Sequence, residues 1–103
     1  MEVKTINSIE ALLAVLRKQI PEIRTHFRVK GIWIFGSYVK GRQKPGSDVD
    51  LLVEFEPGQK TYKNFIRLKF FLEETLGRQV DLVTRESIRE EIKEKVYSEA
   101  VNV

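Results

Sequence analysis

The chain has 103 residues, no cysteine and a net charge of +3, with 42% hydrophobic and 32% charged residues. That length suits a single domain, residues 1–103, and is too short for two; the missing cysteines exclude disulfides, thiolate metal sites and cysteine nucleophiles. No apolar run approaches the ~20 residues of a spanning helix and Met1 to Thr5 lack an export-signal pattern, so a soluble, cytoplasmic protein without membrane contact is expected.

Asn7-Ser8 ahead of Ile9, with Glu10 three residues after Asn7, predicts a helix start. Ile9, Leu12, Leu13, Leu16 and Ile20 then recur at helical spacing as one apolar stripe. Pro21 interrupts the pattern, and a short second helical turn is expected from Pro21 to His26. Lys30 to Phe35 changes character: Ile32-Trp33-Ile34-Phe35 is apolar at every position, which predicts a central strand covered on both faces. Ser37 to Gly41 reads as a short helix and Arg42 to Ser47 as a loop around Pro45-Gly46. Asp48 to Phe55 is a second strand, stopped by Pro57-Gly58.

Thr61 to Leu76 is a helix with Phe65, Leu68, Leu72 and Leu76 on one face and Gly77 as its stop. Ile66 and Phe70 widen its apolar surface; either another helix of the domain covers them, or they form a partner or homo-oligomer surface. Gln79 to Val83 is a third strand, a last helix starts at Thr84 or Ser87 and runs to about Ser98, and Ala100 to Val103 reads as a short edge strand. Helices and strands alternate, which argues for an α/β (α+β) domain with helices flanking a small sheet.

The chemistry concentrates in three carboxylates. Asp48 and Asp50 are two apart, so their side chains share a face, and Asp81 lies within the apolar Val80-Asp81-Leu82-Val83. Aspartate is a poor strand former, and a buried carboxylate must find a cation or protonate. A divalent metal bound by oxygen ligands meets that need. Phe35-Gly36-Ser37, between a buried strand and a short helix, suits a phosphate group. The P-loop spacing fails, since Arg42-Gln43 stands where Lys and Ser/Thr are required, and Val53 rules out a calcium loop. Lone His26 reads as a surface residue and Trp33 as core, while Tyr38 either stacks on a base or packs the short helix. The scattered lysines and arginines, including the mixed charges of the last helix, read as solvated faces, so no direct nucleic-acid binding is expected.

Gly36-Ser37, ten residues, then Asp48-Val49-Asp50 resembles the motif of the DNA polymerase β-like nucleotidyltransferase superfamily. Phe35 to Gly41 with Ser47 to Val53 is similar to its minimal nucleotidyltransferase (MNT) branch, and Asp81 matches that branch's third carboxylate. The resemblance implies a small mixed sheet flanked by helices. It also implies two Mg²⁺ or Mn²⁺ ions held by Asp48, Asp50 and Asp81, with ATP as the NTP substrate. These aspartates would be catalytic, and Gly36, Ser37, Lys40 and Ser47 would bind the nucleotide. The implied partner is a HEPN-domain toxin, a ribonuclease, silenced when AMP is placed on one of its tyrosines. Arg42 departs from the acidic or neutral residue of that place in the family. An antitoxin acting by binding alone ranks second. A small-molecule acceptor lacks the extra domain it would need, and a nuclease would leave the Gly-Ser turn unexplained.

Overall fold

The computed structural model describes residues 6–103, so the Met1 to Thr5 segment lies outside the described residues. The first helix, α1 (Ile9–Phe27), starts at Ser8, whose hydroxyl accepts the Ala11 backbone N–H at 3.1 Å. The expected Asn7–Glu10 box is therefore displaced by one residue. The expected break at Pro21 also fails: α1 runs through it as one helix. Proline there removes one backbone bond, but the apolar face continues through Ile23 and Phe27, both buried, and this packing outweighs the lost bond.

β1 (Val29–Phe35), a short helix α2 (Ser37–Lys40), β2 (Val49–Phe55), α3 (Tyr62–Leu76), β3 (Val80–Thr84), a 3-10 turn at Arg85–Ser87, α4 (Glu90–Glu99) and β4 (Val101–Asn102) follow in order. The sheet order is β3-β2-β1-β4. β2 runs antiparallel to β1 and parallel to β3, and β4 pairs antiparallel with β1, so the sheet is mixed, as expected. α3 is the crossover that the parallel β2–β3 pair requires. Thr61 caps its start, and Gly77, at φ +66°, returns its N–H to Glu73.

Side-chain alternation divides the sheet into two unlike faces. Ile32, Ile34, Val49, Leu51, Val53, Val80 and Leu82 join Leu12, Leu16, Leu68 and Leu72 of α1 and α3 in the core. Truncating a core leucine such as Leu72, which is fully buried, costs about 2–5 kcal/mol. The opposite face carries Trp33, Phe35, Asp50, Leu52, Glu54, Asp81 and Val83. Only part of it is covered, so β1 departs from the expectation of two buried faces: Trp33 and Phe35 remain half-exposed.

The cover over that face is unusual. Arg85 lies over the Trp33 ring at 5.1 Å and the Tyr97 ring at 4.8 Å, and pairs with Glu54 at 3.2 Å. Trp33 in turn lies against Gly31, where a Cβ would come within 2.7 Å of its ring. This stack attaches α4, none of whose residues is fully buried. The last helix thus starts later than expected, because Thr84 ends β3 and Ile88 and Arg89 are extended.

Candidate active site

Strand register assembles the site. Phe35 pairs with Asp50 and Asp50 with Asp81, so these three residues form one row across β1, β2 and β3. All three point away from the core. Asp48 immediately precedes β2 and is exposed beside Asp50. The structure therefore brings the Asp50 and Asp81 carboxyls together, with Asp48 at their edge.

Burial differs from expectation. Asp81 is exposed, because β3 is the outer strand and its neighbours Val80 and Leu82 alternate inward. Only Asp50 is half-buried. Its carboxyl is pushed above its ordinary value, first by burial and then by the negative charge of Asp81. The Ser37 backbone N–H acts in the opposite direction, whereas Asp48 and a hydrogen bond with Asp81 add to the rise. The repulsion among these groups is what a cation would relieve.

The turn after β1 closes over this carboxyl. Gly36 has φ +76° and ψ −143°, a backbone conformation that only glycine adopts readily. A Cβ on it would stand 2.8 Å from Asp50 Cγ. Glycine is thus required twice, by conformation and by space. α2 then begins with Ser37, and its Tyr38 turns inward: fully buried, Tyr38 donates its hydroxyl to the Ile6 carbonyl at 3.1 Å. Of the two readings of Tyr38, packing is the one observed.

The remaining nucleotide candidates are arranged differently. The Lys40 ammonium lies 3.7 Å from Glu99, next to β4 and so on the side of β1 away from Asp81. The Ser47 hydroxyl accepts the Lys44 backbone N–H at 2.6 Å and closes the loop before Asp48. Its position fixes the approach of Asp48. His26 is exposed on α1 beside Glu22, as expected.

The stack of Arg85 on Trp33 and Tyr97 was not legible. Arg85 reads as one charge among many in a mixed-charge run. The usable signal was the period-2 pattern, which puts Trp33 on the face of Phe35 and Asp50 rather than with Ile32 and Ile34.

Chemically, the donor set is all oxygen and suits a hard divalent cation. Among the described residues, no three acidic or histidine side chains already close around one point. Such a site is open. It matches the habit of Mg²⁺, which takes one or two carboxylates and completes its shell with water and phosphate oxygens.

Comparison with known proteins gives the same direction. Residues 16–103 match the nucleotidyltransferase domain family. The protein adenylyltransferase MntA of Thermococcus cleftensis is 43% identical over 103 residues, 100% of each chain. The MJ0435 protein of Methanocaldococcus jannaschii is 46% identical over 89 residues, 86% of this chain and 94% of the relative. A solved structure described as a minimal nucleotidyltransferase superposes with TM-score 0.77 at 33% identity, over 93% of this chain and 96% of the other. A toxin–antitoxin crystal structure with AMP-PNP superposes with TM-score 0.62 at 26% identity, over 88% of this chain and 68% of the other. By motif, by sequence and by fold, the chain belongs to the nucleotidyltransferase domain family, in its minimal branch.

Proposed function

We propose that this chain transfers AMP from ATP to a tyrosine hydroxyl of a HEPN-type toxin and so acts as the antitoxin. The observation that carries the reading is the in-register pair Asp50–Asp81, with the Gly36 turn closed against Asp50. The full-length likeness to an adenylyltransferase named MntA supports it, as does the AMP-PNP in a related toxin–antitoxin structure.

The roles follow from position. The Gly36-Ser37 turn receives the triphosphate, since Gly36 lets a ligand approach the backbone closely and the Ser37 hydroxyl can donate to a phosphate oxygen. Asp48, Asp50 and Asp81 are the oxygen donors that would hold Mg²⁺ or Mn²⁺, two ions in all; that charge, when bound, polarises the phosphoryl oxygens and neutralises pyrophosphate. Asp81, exposed on the outer strand, meets the entering acceptor and takes its phenolic proton. The phenolate oxygen attacks the α-phosphorus. A new P–O bond forms to tyrosine, the bond from the α-phosphorus to its bridging oxygen breaks, and pyrophosphate leaves. Phe35 stands beside Asp50 in the same row, on the side away from Asp81.

The test is to mix the chain with a purified HEPN-domain partner, Mg²⁺ and each of the four NTPs in turn, and to weigh the partner intact. The reading expects a gain of AMP with ATP, located on a tyrosine. No nucleotide on the partner with any NTP would overturn it.

A further inference from the structure

The end of the sheet farthest from the carboxylates breaks two local rules side by side. α1, α2 and α3 each end on a residue in the left-handed region. α2 and α3 use Gly41 and Gly77 there, as backbone sterics favour. α1 uses Arg28, at φ 57° and ψ 41°, the one non-glycine residue with positive φ among the described residues. Just beyond it the β1–β2 register slips. Val29 pairs with Phe55 and Gly31 with Glu54, which leaves Lys30 as the extra residue of a bulge. Backbone strain of this kind clusters at functional sites, and bulges near such sites re-aim a side chain.

The two cations so presented line one open concavity of about 440 Å³, together with Arg24, Glu56 and Gln59. Its walls are tied to each other. The Glu56 N–H donates to the Arg28 carbonyl at 2.9 Å, and the Asn64 amide donates to the Phe27 and Gln59 carbonyls at 2.7 and 3.0 Å. The loop after β2 is thereby fastened to the end of α1. Among the described residues, the charged groups of the lining are Arg24, Arg28, Lys30 and Glu56, three positive and one negative, a net of +2. None of the four forms an ion pair among the described residues. The Glu22–His26 pair and Arg67, which lies over the Phe27 ring, stand outside the lining. The dipole of α1 does not explain the excess, because Arg24 and His26 already occupy its last turn and Lys30 lies beyond it on β1.

We propose that this concavity binds a small phosphate monoester through Arg24, Arg28 and Lys30. A phosphate monoester carries about −1.5 to −2 at neutral pH, which matches the lining. A carboxylate or one phosphodiester of a nucleic-acid backbone brings only a single charge. Each guanidinium fork can take two phosphate oxygens, and the lysine adds a point charge. Glu56 and Gln59 remain to accept hydroxyl or amine groups from the rest of the ligand. The volume is ordinary for a small-molecule site. Asp50 and Phe55 lie near opposite ends of β2, about 17 Å apart by strand rise. The concavity is therefore separate from the carboxylates, and its test needs neither catalysis nor a protein partner.

The experiment is two-dimensional amide NMR on the intact chain, titrated with AMP, inorganic phosphate or adenosine in EDTA, without divalent cation. AMP and phosphate are expected to shift the amides of Arg28 to Gly31, Glu56 and Gln59 saturably, and adenosine to leave them in place. Arg28→Gly is expected to weaken AMP binding at least about tenfold. It should also raise the melting temperature, since glycine suits the left-handed backbone. Lys30→Ala should weaken binding too, whereas Arg17→Ala, outside the lining, should not. No saturable shift at millimolar AMP overturns the proposal. So do shifts confined to Gly36, Ser37 and Asp50, or undiminished binding in both Arg28→Gly and Lys30→Ala. A 5′-phosphorylated oligoribonucleotide that binds here when AMP does not would overturn it in favour of an RNA end.

Discussion

Gly36→Ala is the substitution that separates the site from the scaffold. Alanine at φ +76° and ψ −143° carries backbone strain of about 1–3 kcal/mol. Its methyl group would also press on the Asp50 carboxyl, 2.8 Å from Cγ and 3.1 Å from Cβ. Both atoms belong to a short side chain and lie close to the backbone of a central strand. The turn or the carboxyl must therefore move by several tenths of an ångström or more. Misplacement of a catalytic group by about 1 Å lowers rates on the order of a hundredfold. Gly46→Ala is the control: Gly46 also has positive φ, +83°, but nothing lies within 4 Å of its would-be Cβ. Both variants should melt at lower temperature than wild type. Only Gly36→Ala should lose single-turnover AMP transfer, by about a hundredfold. Wild-type transfer by Gly36→Ala, or an equal loss in both variants, would refute the link between this turn and Asp50.

Asp50→Asn should abolish transfer and leave the protein at least as stable as wild type at neutral pH. The sign follows from the raised carboxyl. The folded state holds its proton more tightly than the unfolded chain, so stability is greatest below the ordinary value near 3.8 and declines as pH rises to the raised value. Thermal melts at acid and neutral pH should show this decline shrinking in Asp50→Asn, and a less stable variant at neutral pH would contradict it. Arg85→Ala should remove two cation–π contacts and a half-exposed ion pair, a loss of about 1–2 kcal/mol. Hydrogen exchange in Glu90–Glu99 should then quicken well before that of Val49–Phe55; unchanged protection there would count against the stack as the attachment of α4. Tyr38→Phe should lower stability by about 0.5–1.5 kcal/mol through the lost bond to Ile6, without changing transfer rates. A large rate effect would put Tyr38 in the nucleotide site after all.

The outline of the fold was legible because apolar periodicity and breakers coincide in this chain. Pro57-Gly58 and Gly77 bound β2 and α3 where they should, and Leu68, Leu72 and Leu76 mark the buried side of α3 in the sequence. Pro21 misled because a local breaking tendency lost to packing by Ile23 and Phe27, which lie beyond it. The three aspartates stood out as chemically misplaced in apolar strands. Their register did not, since which residue of β3 lies beside Asp50 depends on the crossover and not on spacing. The exposure of Asp81 was hidden for the same reason: only the strand order makes β3 an edge. Lys40 and Ser47 were expected at the nucleotide from the family resemblance, and nothing in the sequence says that one turns to Glu99 and the other closes its own loop. Long-range side-chain partners of that kind, like the Arg85 stack, are set by tertiary structure.

The most direct test of the account compares wild type with Asp81→Asn in toxin silencing. Each is incubated with an active HEPN-domain ribonuclease, ATP and Mg²⁺, then removed before residual RNA cleavage and the intact mass of the toxin are measured. Wild type should leave an inactive toxin carrying AMP on tyrosine, and Asp81→Asn should leave an active, unmodified one. Equal and lasting inactivation by both, with no added mass, would contradict catalysis at these carboxylates.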